Sequence, residues 1–336
     1  MKKYTLFLLL SIMLFPSCMD EPPVLPNTNQ GNFDALIIII DKKYCYLDYK
    51  NINWDSISNV YQKQVSESLS ELAFFDLMGK MLGELKDGHV NLYSSFDRSR
   101  YWKWYTDYPA NFNEELIKSP RYLGDNYRIA GGLHYAKIAN DSVGYIYYES
   151  FSSSFSDTNM RYVMTYFKDC KGLIIDVRDN GGGDISNSEQ LASYFFAEET
   201  VTGYMSHKTG AGHSDFSELV EIKTPAHKTL QWQRPVVVLT NRLSYSATND
   251  FVNRMKLAPH ATIVGDKTGG GGGLPLSSEL PNGWLVRFSA SPMFNSNKQH
   301  TEWGIDPDVQ DSIKKSDEIK GIDTIIERAV QVITAK

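Results

Sequence analysis

The sequence lacks the features of several classes of protein. Its 336 residues include only three cysteines, which is too few for a disulfide framework in a chain of this size. No histidine lies near Cys45 or Cys170 at the spacing of a zinc site, so we expect both to be small apolar packing residues. The formal net charge is -6, and no basic stripe is present that could neutralise nucleic-acid phosphates. We therefore expect no structural metal and no nucleic-acid partner.

The most apolar stretch, residues 6–15, is too short to span a bilayer permanently. Lys2 and Lys3 precede it and Pro16-Ser17-Cys18 follows it, which is the order of a secretory signal peptide. The segment around Cys18 resembles a bacterial lipobox. The resemblance implies that residues 1–17 are a signal peptide and that Cys18 is diacylated, giving an exported lipoprotein of the outer membrane on its periplasmic or cell-surface side. A plain signal peptide is the alternative.

The rest of the chain divides by composition and periodicity. Residues 18–32 contain three prolines and few apolar residues, which is typical of a tether. Residues 33–95 have helical periodicity and predict a small helical domain, and residues 96–336 predict an α/β core domain. Within the helical domain, Asp55 is predicted to cap one helix, and Ser68 with Glu71 has capping-box spacing before the next. Gly88 is predicted to end that second helix.

Strand and helix patterns alternate in the second domain. Strands are predicted at 128–138, 143–148, 172–177 and 235–239, and helices around 160–167, 188–197 and after Asp323. An Asn282-Gly283 turn predicts an antiparallel hairpin near the end of the chain. This alternation predicts an α/β fold with a mixed, partly parallel sheet, whose loops at the strand ends carry the chemistry.

Three glycine- or serine-rich segments follow predicted strands. The segment 176–183 ends in three glycines, where backbone amides can approach a ligand closely, although a simple flexible turn would look the same. The segment 240–247 leads into a helix, so that Ser246 is either an exposed reactive serine or a helix N-cap. Five glycines at 269–273 do not end in Gly-Lys-Ser or Gly-Lys-Thr, which disfavours a phosphate loop.

In this order the segments resemble the tail-specific, or C-terminal processing, serine protease family. The matching motifs are Asp-x-Arg-x-Asn-Gly-Gly-Gly at 176–183 and Ser-x-Ser-Ala at 244–247. The resemblance implies a crotonase-like α/β core, no cofactor and a peptide or protein substrate. It makes Ser246 the nucleophile, with Ser244 as its motif neighbour. The backbone N–H groups of Ala247 and of Gly181 or Gly182 are then the oxyanion donors.

The chain departs from this family at the general base. Gly271 stands where processing peptidases carry a lysine in Gly-x-x-Thr-x-Gly-Lys, and Lys267 is a fallback. The tricorn-like branch instead resembles what is present, with His89 as the base and Glu302 as the carboxylate that orients it, directly or through a hydroxyl. A neutral imidazole can take the proton of a serine, which is otherwise a poor nucleophile. His300 is the rival base; a helix C-cap histidine and a solvated acid are the plainer interpretations of His89 and Glu302.

The sequence therefore predicts a serine peptidase that works through an acyl-enzyme. A non-catalytic binder of peptides or hydrophobic ligands on the same fold, and an esterase-like acyl hydrolase, are the alternatives. The segment between His89 and the strand at 128 is too short for the PDZ domain that many members carry. A cluster of aromatic residues in this connector either lines a substrate groove or packs on the core; its members are Tyr101, Trp102, Trp104, Tyr105 and Tyr108.

Overall fold

The computed structural model describes residues 25–335. The predicted signal peptide, its cleavage site and Cys18 lie outside the described residues. The helices are α1 Asn29–Lys43, α2 Trp54–Gln62, α3 Glu71–Gly83, α4 Lys103–Thr106, α5 Glu114–Lys118, α6 Asp157–Tyr166, α7 Ile185–Ser193, α8 Ala247–Met255, α9 Lys315–Glu318 and α10 Thr324–Thr334. The strands are β1 Asn91–Tyr93, β2 Arg128–Ala130, β3 Leu133–Ile138, β4 Val143–Tyr148, β5 Gly172–Asp176, β6 Thr200–Met205, β7 Val220–Thr224, β8 Val236–Thr240, β9 Ala261–Gly265, β10 Gly273–Glu279, β11 Leu285–Asn295 and β12 Val309–Gln310.

The larger sheet has seven strands in the order β12-β9-β8-β5-β4-β3-β2. Pairing is parallel from β12 to β4 and antiparallel from β4 to β2. Strands β5 and β8 are buried along their whole length, as expected for parallel strands covered by helices on both faces. Ile174 and Val237 face α10, whereas Ile175 and Val238 face α6, α7 and α8. The prediction of a mixed α/β fold is confirmed.

The smaller sheet is antiparallel and has β11 at its centre. Its order is β1-β11-β6-β7, and β10 also pairs with β11 through the Asn282-Gly283 turn. Helices α1 and α3 pack on this sheet, where Phe33 and Phe74 share one core with Val286 and Phe288. The N-terminal helices are therefore stabilised largely by a strand from near the end of the chain. The boundary at residues 95 and 96 stays a prediction.

Two helix starts differ from the predictions. The side chain of Asn53, not Asp55, caps α2 by accepting the N–H of Ser56. Ser70, not Ser68, caps α3 by accepting the N–H of Ala73. In both cases a second polar residue stands within two positions of the cap, and the apolar face that must be buried decides which one starts the helix.

The end of α3 also differs from the prediction. The helix stops at Gly83, and single turns continue the chain through Lys86, which has a φ of 48°. Gly88 has a different role, because a Cβ there would lie 2.6 Å from Nε1 of Trp104 and 2.8 Å from Oη of Tyr245. Glycine is thus required for close packing beside the next residue, His89.

Residues 25–335 can be examined for membrane-spanning helices, disulfides and metal-binding groups. None of the described helices is long and apolar enough to cross a membrane. Cys45 and Cys170 are both free and buried, as the sequence predicts. No group of three or more histidine, cysteine or acidic side chains between residues 25 and 335 is placed to hold a metal ion.

Candidate active site

Ser246 lies in the turn between β8 and α8. Its φ of 58° and ψ of -118° are unusual for a residue with a side chain, and such strain at a strand-to-helix turn is typical of nucleophile elbows. Its backbone N–H donates to the carbonyl of Gly270. Ser246 occupies the N-cap position of α8, but its side chain makes no capping hydrogen bond. The hydroxyl is left free for another partner.

That partner is His89, in the turn after α3. Its Nε2 lies 2.9 Å from Oγ of Ser246, across 157 positions of sequence. The imidazole is 3% exposed, and burial lowers its pKa from 6.5 to about 4. Asp87 opposes this shift, and Arg287 and Lys50 add to it. The ring is therefore neutral at neutral pH, as a proton acceptor must be.

The glycine loop after β5 supplies backbone donors beside Ser246. The N–H of Gly182 already donates to Oδ1 of Asn180, which also accepts the hydroxyl of Thr248 on α8. No residue in the described range accepts the N–H of Gly181 or of Ala247. Of the two glycines named from sequence, Gly181 is thus the one with a free donor. Asn180, whose role the sequence analysis missed, therefore connects the glycine loop to α8 through its Oδ1.

Glu302 is buried, but it makes no hydrogen bond to His89. Its Oε1 lies 2.6 Å from Nζ of Lys50, and its Oε2 accepts the N–H of Gly272 at 3.0 Å. Burial and the nearby charge of Asp87 raise its pKa from 4.5 to about 8, although Lys50 opposes the shift. Direct orientation of the imidazole by Glu302, one of the two arrangements expected from sequence, is not found.

The carboxylate next to His89 is Asp87, which the sequence analysis did not select. Its Oδ1 accepts the backbone N–H of His89 at 2.8 Å, and its Oδ2 accepts the hydroxyls of Tyr44 and Ser289 at 2.9 and 3.0 Å. Nζ of Lys50 lies 3.5 Å from the same oxygen. Burial alone would raise the pKa of Asp87, but Lys50 and these hydrogen bonds hold it below its usual value.

Nδ1 of His89 is buried and has no hydrogen-bond partner of good geometry among the described residues. The backbone of Gly273 is nevertheless close enough for a weak hydrogen bond that raises the pKa of the ring. Asp87 therefore positions His89 through the backbone, whereas a direct bond to Nδ1 is the arrangement of the familiar serine triad. The position of Asp87, two residues before His89, was the one signal in the sequence that could have identified it. Lys50 had no such signal.

The rival bases lie elsewhere. Lys267 is 3.4 Å from Asp306 and lines a different cleft from Ser246. His300 packs against the ring of Tyr49 at 3.9 Å, and burial lowers its pKa to about 4. Gly271 has a φ of 74°, and a Cβ there would lie 2.4 Å from the ring of Tyr245. A lysine at position 271 would not fit this packing.

Ser246 and His89 open into a cleft of about 220 Å³. Tyr101, Trp102 and Trp104 of the connector line it, and Trp104 stacks on Tyr245 at 4.1 Å between ring centroids. Three arginines also line the cleft: Arg98, Arg100 and Arg287. Tyr108 instead stacks on Arg242 outside this cleft. Part of the aromatic cluster predicted from sequence therefore does line the groove.

The arrangement matches known proteins in sequence. The model of peptidase family S41 matches residues 142–311, and the model of the Tricorn protease C1 domain matches residues 26–83. The carboxy-terminal processing protease CtpB of Bacillus subtilis is 27% identical over 184 residues, which are 54% of this chain and 36% of that protein. A carboxyl-terminal-processing protease of a Synechocystis species is 29% identical over 143 residues, covering 42% and 31%. The chain thus spans about a third of the length of these curated relatives.

Solved structures match over nearly the whole chain. A crystal structure from Parabacteroides merdae, described as a candidate peptidase, is 52% identical with a TM-score of 0.88, covering 92% of this chain and 97% of that one. Mature CPAF in complex with lactacystin (11% identical, TM-score 0.68, coverage 92% and 99%) and the photosystem II D1 C-terminal processing protease (15%, 0.52, 89% and 97%) share the fold. Because the family model covers half of the chain and these matches agree with it, the chain belongs to peptidase family S41, the tail-specific or C-terminal processing serine peptidases.

Proposed function

We propose that the protein hydrolyses peptide bonds through an acyl-enzyme formed on Ser246. The observation that carries the proposal is the 2.9 Å contact between Nε2 of His89 and Oγ of Ser246. Few arrangements other than nucleophile activation require a buried neutral imidazole against a strained, uncapped serine. Membership of the family supports a peptide or protein substrate.

The geometry performs each proton transfer with one imidazole. The hydroxyl of Ser246 donates its proton to Nε2 of His89 as Oγ attacks the substrate carbonyl. The N–H groups of Gly181 and Ala247 donate to the resulting oxyanion. The N-terminus of α8 also stabilises it, because the helix dipole gives that end a partial positive charge. The imidazolium then donates the proton to the leaving amine, and water repeats the sequence on the acyl-enzyme.

The buried charges support this cycle. A proton on His89 places a positive charge in a site that already contains Lys50, so the negative charge of Asp87, whose pKa is lowered, is needed to offset it. Asp87 acts at the shortest range, because it also accepts the backbone N–H of His89. In this proposal Glu302 acts on His89 indirectly, by holding Lys50 and the backbone of Gly272.

A non-catalytic binder is the second candidate function that the fold permits, and the contact between Ser246 and His89 disfavours it. An esterase would use the same machinery. The test compares wild type, Ser246→Ala and Ser244→Ala for hydrolysis of capped peptides and matched esters, and for labelling by a fluorophosphonate probe.

Ser246→Ala is expected to lower turnover by about 10⁴-fold or more, because it removes the nucleophile. The Ser246 side chain caps nothing, so folding should be unchanged. Ser244 is the matched control: its hydroxyl donates to the carbonyl of Val177 and accepts the N–H of Asn241. Its replacement should cost about 1–2 kcal/mol of unfolding free energy and leave labelling intact. Undiminished turnover in Ser246→Ala would refute the proposal, and ester hydrolysis without peptide hydrolysis would favour the esterase.

We also propose that the chain is exported and lipid-anchored through Cys18. The support is the order of basic residues, apolar stretch and cysteine at 2–18. Mass spectrometry of the mature N-terminus should find a diacylated Cys18, and the protein should partition into detergent. Cys18→Ala should move it to the aqueous phase. Protease treatment of intact cells separates a cell-surface from a periplasmic location, and a mature N-terminus at another residue would overturn the anchor.

A further inference from the structure

The cleft that contains Ser246 has an unusual charge. Arg98, Arg100 and Arg287 line it, and no acidic side chain of the described residues does. The whole chain has a net charge of -6, so a cluster of three guanidinium groups departs from the average surface. It lies beside the proposed nucleophile, where it would act on the substrate.

Arg287 and Arg98 are the least compensated of the three. Arg287 lies half-buried on β11, and its cross-strand neighbours, Asn91 on β1 and Ser277 on β10, are both neutral. Within the described part of the chain it has no carboxylate partner, and the same is true of Arg98, which lies over the ring of Tyr93. Arg100 is 3.4 Å from the exposed carboxylate of Asp97. An exposed pair of this kind is weak and exchanges readily for a ligand.

The charge of Arg287 reaches the reacting groups. Asn91, which faces Arg287 across the strands, is only two positions after His89. Burial is the main cause of the low pKa of His89, and Arg287 lowers it further. A substrate group held by Arg287 therefore lies near the bond that Ser246 attacks.

We propose that Arg98, Arg100 and Arg287 bind a carboxylate of the substrate close to the scissile bond, an inference that rests on the proposed peptidase function. Guanidinium groups suit this ligand because they bind carboxylates in a bidentate manner. The carboxylate is either the side chain of an aspartate or glutamate or a free C-terminus within a few residues of the cleaved bond. Arg287 and Arg98 are thus specificity-determining residues.

The test uses two series of internally quenched peptides. In the first, both ends are capped, and one position within three residues of the cleaved bond is Glu, Gln or Lys. In the second, an otherwise neutral peptide has a free or an amidated C-terminus. The value of kcat/KM for a carboxylate peptide should exceed that of its neutral partner by roughly tenfold or more, through KM, and the ratio should fall at high salt.

Substitution of Arg287 separates the interaction from general damage. Arg287→Gln should remove most of the roughly tenfold preference, whereas Arg161→Gln, a change of the same charge on the exposed face of α6, should leave it unchanged. Arg287→Glu should shift the preference toward the Lys peptides. Fluorophosphonate labelling of Ser246 in each variant shows that the site is intact, because this small probe carries no carboxylate.

The outcomes are distinguishable. A wild-type protein that is labelled and hydrolyses peptides, but treats Glu and Gln peptides and free and amidated C-termini alike, would overturn the carboxylate site and leave the peptidase function standing. A protein that is neither labelled nor active would overturn the peptidase function and the inference together. A preference in the first series assigns the site to an acidic side chain, and one in the second to a terminal carboxylate.

Discussion

Asp87 and Glu302 share the ammonium group of Lys50, which lies 3.5 Å from Oδ2 of Asp87 and 2.6 Å from Oε1 of Glu302. All three side chains are almost fully buried. Two carboxylates and one ammonium group leave an excess negative charge, and burial makes that charge unfavourable. The two pKa values separate accordingly: that of Asp87 is lowered, and that of Glu302 is raised to about 8.

The first prediction concerns the stability contribution of Glu302. Its folded pKa of about 8 exceeds the ordinary value of 4.5, so the folded state keeps a proton that the unfolded chain releases between these two pH values. The contribution is therefore complete below pH 4.5 and is lost as the pH rises through about 8. Below about pH 6.5 the lowered pKa values of His89 and His300 act in the opposite direction, because protonation of the unfolded chain then favours unfolding. Urea unfolding of wild type should therefore show the decline most clearly between pH 7 and 8, by at most about 1.4 kcal/mol per pH unit.

Glu302→Gln removes the titrating group and keeps an acceptor for the N–H of Gly272. The decline between pH 7 and 8 should be weaker in this variant, whereas the contributions of His89 and His300 are the same in both proteins. Asp87 does not interfere, because its lowered pKa places its own transition below this window. Equal slopes for wild type and Glu302→Gln would show that Glu302 is ionised throughout, held so by Lys50.

The second prediction concerns Asp87. Asp87→Asn removes the charge that Lys50 and the turn at His89 depend on, and it weakens the acceptor for Tyr44 and Ser289. Breaking a buried pair should cost about 3 kcal/mol of unfolding free energy and should slow probe labelling of Ser246.

Asp169→Asn is the matched control for this change. Asp169 is exposed, so its replacement should alter the unfolding free energy by no more than about 0.5 kcal/mol. Equal stabilities and labelling rates for the two variants would show that Asp87 contributes neither to stability nor to positioning.

The third prediction compares adjacent glycines. A Cβ at Gly182, where φ is 98°, would lie 2.7 Å from the carbonyl oxygen of Tyr245 and 2.8 Å from Cβ of Ser246. At Gly181 a Cβ meets nothing within 4 Å. Gly182→Ala should therefore displace Ser246 and slow probe labelling by roughly 100-fold. Gly181→Ala, which keeps its N–H, should stay within about threefold of wild type. Similar rates for both variants would argue against this loop geometry.

Much of the fold follows from local patterns in the sequence. The strands at 143–148 and 172–176 and the helix capped by Asp323 stand where hydrophobic periodicity predicts them. The capping residues of α2 and α3 do not, because several polar residues compete within each helix start and tertiary packing selects one. The pairing of β1 with β11 joins segments about 190 positions apart, and no local signal specifies it.

The candidate site divides in the same way. The nucleophile and base positions follow from motifs, and the structure brings Ser246 and His89 into contact. The link between Glu302 and Asp87 through Lys50 does not follow, because Lys50 stands in no motif and its partners are distant in sequence. The sequence also could not decide whether Gly181 or Gly182 supplies the free oxyanion donor. That depends on the side chain of Asn180, which accepts the N–H of Gly182.

The central claim is that His89 activates Ser246, and the most direct measurement is the pH dependence of fluorophosphonate labelling of Ser246. In wild type the rate should be constant near neutral pH and should halve near pH 4, where a proton occupies the ring of His89. In His89→Ala it should fall by at least about 10³-fold. An unchanged rate in His89→Ala, or a wild-type midpoint in the alkaline range of a lysine, would contradict the account.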